Sequence, residues 1–358
     1  MKVLTIVGAR PQFIKAAAVS TVLRRSHDEV LLHTGQHYDY EMSGIFFDGL
    51  DLPAPDLNLE VGSGSHGHQT GAMLKGIEDA LLSVRPDALL IYGDTNSTVA
   101  GALAAAKLSV PVVHIEAGLR SFNRRMPEEV NRVVADHLSA LLLCPSSIAV
   151  DNLAAEGVVN GVHLVGDVML DVLNWARGRT PSKAGLQARL GVERGAYILA
   201  TVHRSENTDD PTRLTSIMEA FNDLDEPVVF PVHPRTRKLI AGSSAGLRPH
   251  VHLIDPLGYT DMVDAASSAR LILTDSGGLQ KEAYWLGVPC VTLRDETEWV
   301  ETVAAGWNRL VGSDKERILE AARRFVAPDE RPSLYGDGLA ASLCVDLVGN
   351  LELAGQAG

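Results

Sequence analysis

The 358-residue sequence has few cysteines, and their placement bears on where the protein works. The three cysteines, Cys144, Cys290 and Cys344, lie in apolar stretches and form no CxxC pair. This pattern is typical of reduced thiols in a protein core rather than of a disulfide framework. The apolar run before Gly8 is too short for a signal peptide, and no later run reaches membrane-spanning length. We therefore expect a cytoplasmic protein without a membrane partner.

Motifs for metals and common cofactors are also missing. The histidines lack spacings such as HExxH, and neither GxGxxG nor a P-loop motif follows any apolar run. The sequence therefore predicts no metal, nicotinamide or other cofactor. A net charge of −13 would repel nucleic acid phosphates and anionic membranes, so neither is an expected partner. An anionic small molecule can still bind where arginine, lysine and histidine cluster.

What the sequence does contain is an alternation of short β-branched runs with amphipathic patterns, typical of parallel sheets flanked by helices. Predicted strands are 3–8, 30–35, 88–93, 112–117, 140–145 and 162–166 in the first half, and 197–202, 228–232, 251–255, 271–275 and 290–294 in the second. Predicted helices include 12–25, 98–108, 130–140, 212–222 and 316–326. A final helical pattern at 341–353 has no following strand and can pack on either half.

A polar, glycine-containing stretch at 174–196 interrupts this alternation, and we place the domain junction there. The prediction is an α/β protein of two Rossmann-like domains, residues 1–175 and 176–339, that face a central cleft.

Charged and glycine-rich turns follow the predicted strands, at the edge where open parallel sheets bind ligands. In the first domain they carry Arg10 and Lys15, then Asp94, Glu116 and Glu128. In the second domain they carry His203, Arg204, Glu206, His233, Ser276, Gly277 and Gly278, with Glu282 in the helix beyond. If the domains face each other, these edges line one cleft.

Each carboxylate of the first domain also has a structural interpretation. Asp94 can cap the helix that follows it. Glu128 and Glu129 follow Pro127, so they can complement a helix dipole, and for Glu129 we prefer that interpretation. Glu116 is harder to explain in this way, because a carboxylate that ends an apolar strand is costly to bury.

The candidate anion-binding groups have alternatives too. The turn Ser276–Gly278 suits a phosphate, because glycine lets the backbone approach and the first helical N–H groups point at the anion. Such turns are common, however. Arg10 and Lys15 can equally form a solvated face. His203 and His233 can equally be core histidines.

Six motifs, taken together and in order, carry a family resemblance. They are GARPQFIK (8–15), GDTNST (93–98), HIEAGLR (114–120), MPEEVNR (126–132), VHRSEN (202–207) and LTDSGGLQKEA (273–283). From residue 1 to about residue 345 the chain resembles the non-hydrolysing UDP-N-acetylglucosamine 2-epimerase family. The resemblance implies the glycosyltransferase-B architecture, a homodimer, and a C-terminal helix at about 340–355 that packs back on the first domain.

The resemblance also implies a reaction and its residues. Family members interconvert UDP-GlcNAc and UDP-ManNAc, which supplies precursors of cell-surface polysaccharides. They eliminate UDP across C1–C2, leaving 2-acetamidoglucal, and add UDP back with C2 inverted. Carried over to this sequence, the acid/base carboxylates are Asp94, Glu116 and Glu128, and His203 lies near the diphosphate. Which carboxylate is the base stays open.

The remaining positions that the resemblance assigns concern the nucleotide. They are Arg10 and Lys15 on the phosphate side, Ser276, Gly277 and Gly278 in the phosphate-binding turn, Glu282 for the ribose hydroxyls, and Arg204, Glu206 and His233 around them. Arg120 and Arg132 are candidates to orient the carboxylates.

Several segments depart from the common bacterial pattern. GARPQF replaces GTRPE, and residues 61–71 replace a segment that binds a second, activating UDP-GlcNAc, which puts that activation in doubt. Trp299 stands where many members carry an arginine. These features resemble a subgroup that includes archaeal members and epimerases of UDP-2,3-diacetamido-2,3-dideoxyglucuronate. Arg124 and Arg125 can pair with a sugar carboxylate or lie in a solvated turn. This second sugar is one alternative function, and a glycosyltransferase of the same architecture is another.

Overall fold

The structure is a computed structural model that describes residues 1–36, 53–179, 185–232, 234–241 and 246–355. Within these ranges, the side chains of Arg10, Pro234, Arg235 and residues 352–355 lie outside the description. The chain forms two compact units. The first comprises Met1–Asn174 and the segment from Ser333 onward, and the second comprises Trp175–Pro332.

The first unit is built on a seven-stranded sheet whose pairings are all parallel. Its elements along the chain are β1 (Lys2–Val7), α1 (Arg10–Leu23), β2 (Asp28–His33), β3 (Leu57–Asn58), α2 (His66–Val84), β4 (Ala88–Tyr92), α3 (Asn96–Lys107), β5 (Val112–Ile115), α4 (Pro127–Leu138), β6 (Leu141–Cys144), α5 (Ser147–Ala155) and β7 (Val162–Leu164). The strand order is β3-β2-β1-β4-β5-β6-β7. The helix α6 (Val168–Arg177) follows and runs across the boundary between the units.

The second unit is built on a six-stranded parallel sheet with the order β10-β9-β8-β11-β12-β13. Its elements are α7 (Leu186–Leu190), β8 (Ile198–Thr201), α8 (Ser205–Thr208), α9 (Pro211–Asn222), β9 (Val228–Pro231), α10 (Pro234–Ala241), β10 (Val251–Ile254), α11 (Tyr259–Ser268), β11 (Leu271–Thr274), α12 (Gly277–Leu286), β12 (Cys290–Thr292), α13 (Val300–Ala304), β13 (Asn308–Leu310) and α14 (Lys315–Arg324). The last helix, α15 (Ala340–Gly355), belongs to the first unit and contacts α1.

The prediction of two α/β units with parallel sheets is confirmed, with local differences. The strands β3 and β13 were not predicted, because two or three residues are too few to show a periodicity. The predicted strand at 112–117 is too long: β5 ends at Ile115, because Glu116 adopts a left-handed conformation with φ 69°. The five predicted helices begin one to three residues earlier than expected. Two of them, α4 and α9, place a proline at their start, where it loses no hydrogen bond.

Burial explains why the central strands form. Every residue of β4 and of β5 is buried, as are the last five residues of β1, which is what a sheet covered by helices on both faces requires. Each fully buried aliphatic side chain contributes about 1.5 to 3 kcal/mol. Among the described residues, no helix is both long and apolar enough to cross a bilayer.

The strand order determines where a ligand can bind. In the first unit β1 lies between β2 and β4, so the connections after β1 and β4 leave the sheet in opposite directions. In the second unit β8 lies between β9 and β11 in the same way. A crevice opens at such a switch point, beyond the carboxyl ends of the strands. The candidate site residues of both units follow these strands.

Candidate active site

Two candidate carboxylates of the first unit flank one glycine at the switch point. Asp94 directly follows Gly93, which itself follows β4 and has φ 60°. A Cβ atom placed on Gly93 would lie 3.2 Å from Oε2 of Glu116 and 3.5 Å from Nζ of Lys15. The structure therefore brings Asp94, Glu116 and Lys15 together, although they come from the turn after β4, the turn after β5 and the helix α1.

Glu116 is held in a strained backbone conformation. Left-handed φ values are uncommon for residues other than glycine and cost of the order of 1 to 3 kcal/mol. The N–H groups of Glu116 and Ala117 both donate to the carbonyl of Leu143, at 3.1 and 3.2 Å. The Glu116 carboxylate forms an ion pair with Lys15. These contacts direct the carboxylate toward the turn after β4 instead of along the strand.

Asp94 does not cap the following helix. Thr95 is the residue that caps α3, because its side chain accepts a hydrogen bond from the N–H of Thr98. The capping interpretation of Asp94 is therefore wrong. Its carboxylate, whose side chain is 30% exposed, forms an ion pair with Arg132 instead. The Asp94 carboxylate therefore has a basic partner and is accessible to solvent.

The two glutamates that open α4 differ in their environment. Glu129 is buried and accepts hydrogen bonds from the N–H groups of Ser121 and Phe122, both at 2.9 Å. It also receives a 3.0 Å hydrogen bond from Arg132, so it holds the loop before the helix, in agreement with a structural role. Glu128 is exposed and has no hydrogen-bond or ion-pair partner among the residues that the structure describes.

A buried charged network lies behind these groups. Asp136 accepts hydrogen bonds from His114 at 2.7 Å and from Arg120 at 2.7 Å, and Arg120 also binds Glu156 at 2.7 Å. Burial alone would raise the pKa of Asp136, but the hydrogen bonds and charges of His114 and Arg120 outweigh it and lower the pKa. Arg120 therefore serves this network, whereas Arg132 contacts Asp94. Of the two arginines suggested to orient the candidate carboxylates, only Arg132 does so directly.

In the second unit a buried aspartate organises the turn after β8. Asp275, which follows β11, accepts hydrogen bonds from the backbone N–H groups of His203 and Arg204 at 3.0 Å. Its Oδ1 lies 3.5 Å from Nδ1 of His203, whose side chain is half exposed. Asn207 donates to the same carboxylate at 3.2 Å. His203 and Arg204 are thereby fixed at the switch point, beside the start of α12.

The amino-terminal turn of α12 provides an anion-binding geometry. Ser276 caps the helix, and Gly277 is its first residue. A Cβ atom on Gly277 would lie 3.5 Å from Nε1 of Trp299, 3.8 Å from Nη2 of Arg204 and 3.9 Å from Oε2 of Glu298. The helix N–H groups and the two further N–H donors favour a phosphate oxygen in this space, beside the Glu298 carboxylate that Arg294 binds.

Each of the other predicted site residues either has a contact in the structure or has a side chain that lies outside the description. The carboxylate of Glu282 is mostly buried and accepts a 3.0 Å hydrogen bond from Tyr259. Glu206 is exposed and lies 3.3 Å from Arg213. His233 falls outside the described residues, and so does the side chain of Arg10.

Three buried side chains at this site were not predicted from the sequence. Gln12, His114 and Asn131 each donate a hydrogen bond to the backbone around Gly93. The sequence signal for these three residues is weak, because each lies in a motif with charged residues that are stronger candidates for chemistry. Among the three, only His114 has a clear sequence signal, because a polar residue inside the apolar strand β5 is unusual.

The fold and these two edges define a two-domain α/β enzyme of the glycosyltransferase-B type. A calicheamicin glycosyltransferase, CalG4, has the same fold with a TM-score of 0.53 at 15% identity, over 97% of this chain and 94% of its own. The family model for UDP-N-acetylglucosamine 2-epimerase matches residues 21–349. The chain belongs to this family, whose members are isomerases, and the family assignment from the sequence motifs is confirmed.

Individual relatives are similar over nearly the whole chain. A UDP-N-acetylglucosamine 2-epimerase homolog of Methanococcus maripaludis is 52% identical, over 98% of this chain and 100% of its own. The UDP-2,3-diacetamido-2,3-dideoxy-D-glucuronate 2-epimerase of Pseudomonas aeruginosa is 50% identical with the same coverage. The crystal structure of the Methanocaldococcus jannaschii UDP-GlcNAc 2-epimerase in complex with UDP-GlcNAc and UDP has a TM-score of 0.88 at 40% identity, over 98% of this chain and 100% of that one.

Proposed function

We propose that the protein is a non-hydrolysing 2-epimerase that interconverts UDP-GlcNAc and UDP-ManNAc. The observation that carries this proposal is that Asp94 directly follows Gly93 while the Glu116 carboxylate lies beside the same glycine at the switch point. A reaction that inverts a carbon needs groups that remove a proton and return one. The relative bound to UDP-GlcNAc and UDP supports the choice of substrate.

The chemistry follows from the sugar itself. The C2 proton is not next to a carbonyl, so its removal must be coupled to loss of UDP from C1. A carboxylate takes the C2 proton, the C1–O bond breaks with its electron pair going to UDP, and a C1–C2 double bond forms. UDP then adds back to C1 while C2 is protonated from the opposite face. Asp94, Glu116 and the exposed Glu128 are the proton-transfer groups in this proposal.

The leaving group, UDP, needs stabilisation as the C1–O bond breaks. The first turn of α12, at Ser276, Gly277 and Gly278, binds the diphosphate through backbone N–H groups. The guanidinium of Arg204 and the imidazole of His203 add positive charge as the C1–O bond breaks. Glu282 receives the ribose hydroxyls, and Arg10, Glu206 and His233 complete the nucleotide contacts.

Proton NMR of UDP-GlcNAc with the purified protein in D2O tests this proposal. The expected result is a mixture of two UDP-sugars with deuterium at C2 of both. Asp94→Asn and Glu116→Gln should each slow the exchange by at least about 100-fold. Asp79→Asn, which alters an exposed ion pair with Lys75 on α2, should leave it unchanged. Wild-type turnover by either site variant would show that the roles are wrong.

The same experiment separates the rival activities. Accumulation of free ManNAc with UDP would indicate a hydrolysing epimerase. Release of UDP only when a sugar acceptor is added would indicate a glycosyltransferase. Binding of UDP-GlcNAc without deuterium incorporation would exclude both epimerases for this sugar.

A second substrate is favoured by a specific observation. The 50% identity to the Pseudomonas aeruginosa enzyme makes UDP-2,3-diacetamido-2,3-dideoxyglucuronate the alternative. This sugar carries a carboxylate, and Arg124 and Arg125 are both exposed in the loop before α4. If it is the substrate, its kcat/KM should exceed that of UDP-GlcNAc, and Arg124→Ala with Arg125→Ala should lower kcat/KM for the charged sugar alone.

We further propose that the enzyme works as a cytoplasmic homodimer and supplies precursors for cell-surface polysaccharides. The family resemblance supports this assignment. Light scattering of the purified protein tests the oligomeric state, and a monomer at working concentration would contradict it.

A further inference from the structure

Three consecutive backbone carbonyls, at the point where β4 ends, each accept a hydrogen bond from a side chain of a different element. Nε2 of Gln12 lies 2.8 Å from the oxygen of Tyr92, Nε2 of His114 lies 2.7 Å from that of Gly93, and Nδ2 of Asn131 lies 2.9 Å from that of Asp94. All three donors are buried. They come from α1, β5 and α4. We call Gln12, His114 and Asn131 the carbonyl clamp.

Neighbouring contacts fix the orientation of the two amides in the clamp. Oε1 of Gln12 accepts hydrogen bonds from the N–H groups of Gly8 and Ala9, at 2.8 and 3.1 Å, so its nitrogen must face Tyr92. The nitrogen of Asn131 also lies 3.3 Å from Oδ1 of Asn96, a second acceptor. Neither amide can rotate by 180° without placing an oxygen against acceptors.

The central member of the clamp faces two acceptors. Nδ1 of His114 lies 2.7 Å from Oδ1 of Asp136, and Nε2 faces the Gly93 carbonyl. Each ring nitrogen therefore lies within hydrogen-bond distance of one oxygen. The charged groups around the ring are Asp136, Arg120 and Glu156, which pair with one another. Burial of a charge is tolerable when it is paired in this way.

The clamp holds the segment that carries Asp94. Gly93 has a left-handed backbone, and Thr95 already caps α3, so the turn between them determines where the Asp94 carboxylate points. Side-chain donors on three successive carbonyls hold this turn in one conformation.

We propose that the carbonyl clamp positions Asp94 for proton transfer, with His114 acting as the central donor to the Gly93 carbonyl. None of the three residues needs to touch the substrate, so they are positioning residues. This inference rests on the proposed epimerase function. A misplacement of about 1 Å at a reacting group can cost about 100-fold in rate, so loss of the central donor should lower kcat much more than it changes KM.

Two substitutions of His114 separate positioning from simple structural support. The amide nitrogen of glutamine reaches roughly as far as Nε2 of histidine, so His114→Gln can keep the bond to Gly93 while it loses the bond to Asp136. The amide nitrogen of asparagine corresponds to Nδ1, so His114→Asn keeps the bond to Asp136 and leaves the Gly93 carbonyl without its donor. A purely structural role would make the two variants similar.

The expected result is a kcat within about fivefold of wild type for His114→Gln and about 100-fold lower for His114→Asn, with KM changed by less than about threefold in both. The control is Asn222→Ala in the second unit, which removes another buried amide donor from a backbone carbonyl, that of Gly246 at 2.8 Å. It should lose stability but keep kcat. Equal losses in the two His114 variants, or wild-type kcat in His114→Asn, would overturn the proposal.

A measurement that does not depend on turnover separates this inference from the proposed function. In uniformly labelled wild-type protein, the Gly93 carbonyl carbon should show a through-hydrogen-bond coupling to Nε2 of His114. The Gly93 carbonyl 13C shift should change in His114→Asn and stay near wild type in His114→Gln. If wild type epimerises no UDP-sugar, these NMR data still decide whether the clamp exists, and a Gly93 carbonyl shift that is unchanged in His114→Asn would overturn it.

Discussion

Lys15 forms an ion pair with Glu116, a residue 101 positions later in the chain, and the two side chains are only 9% and 10% exposed. The pair joins helix α1 to the turn after β5. It balances the charge of a candidate catalytic carboxylate within the first unit. The sequence placed Lys15 on the phosphate side of the site, whereas its contact in the structure is with this carboxylate.

Loss of the lysine charge should affect both stability and turnover. In Lys15→Met the Glu116 carboxylate stays buried but loses its cationic partner. Breaking a buried pair in this way costs about 3 to 5 kcal/mol. We expect the free energy of unfolding in urea to fall by about this amount, and kcat for C2 deuterium exchange to fall by at least about tenfold. Lys75→Met removes an exposed lysine paired with Asp79 and should change neither. Equal behaviour of the two variants would rule out this role for Lys15.

Asp136 should make stability depend on pH in the acidic range. Burial opposes ionisation, but the hydrogen bonds and charges of His114 and Arg120 hold the pKa of Asp136 below its usual 3.8 in the folded state. A depressed pKa contributes stability that is present above the unfolded value and is lost as the pH falls through the folded one. Urea unfolding of wild type and Asp136→Asn should show a gap in the free energy of unfolding that is present at neutral pH and narrows below about pH 4. A gap that widens on acidification would contradict the assignment.

The cysteines should be unreactive in the folded protein. All three are buried, and burial raises the pKa of Cys144 and of Cys290 to about 12. The thiolate is the reactive form, so a thiol reagent such as Ellman's reagent at pH 8 should label none of them in native protein and all three after urea unfolding. Rapid labelling of the native protein would show that a cysteine is exposed by opening of the fold.

The helix start at Gly277 gives a test of nucleotide binding without a change in folding. A Cβ atom there would make ordinary contacts, the nearest at 3.5 Å, and φ is not left-handed, so Gly277→Ala should keep the melting temperature. The methyl group would occupy the space above the helix N–H groups and weaken UDP binding by at least about tenfold in calorimetry. Gly71→Ala on α2, where a Cβ meets nothing within 4 Å, should leave UDP binding unchanged. Unaltered UDP binding by Gly277→Ala would place the diphosphate elsewhere.

Local sequence patterns were enough to predict the sheets and the polar residues that follow their strands. Parallel order forces strands such as β4 and β5 to be apolar along their whole length, so they stand out from the helices between them. Their carboxyl ends meet at one edge, which is why Asp94 and Glu116 could be grouped before their contacts were known. The short edge strand β3 could not be found, because two residues carry no pattern.

The roles of charged residues needed the folded chain. Arg120 and Arg132 look alike in the sequence, yet Arg120 binds Asp136 and Glu156 while Arg132 binds Asp94. Thr95, not Asp94, caps α3, although both residue types suit that position. Asp136, Glu156 and Asp94 lie 16 to 38 residues away from the arginines that bind them, so no short local window contains both members of a pair.

By itself, the sequence determined that two parallel α/β units form and that polar and charged residues follow their strands, because hydrophobic periodicity and residue type are local properties of the chain. Tertiary structure alone decided which carboxylate is paired, which is exposed, and which backbone carbonyls are held by Gln12, His114 and Asn131. The physical reason is that hydrogen bonds and ion pairs depend on distances of about 3 Å between atoms that folding brings together from remote segments.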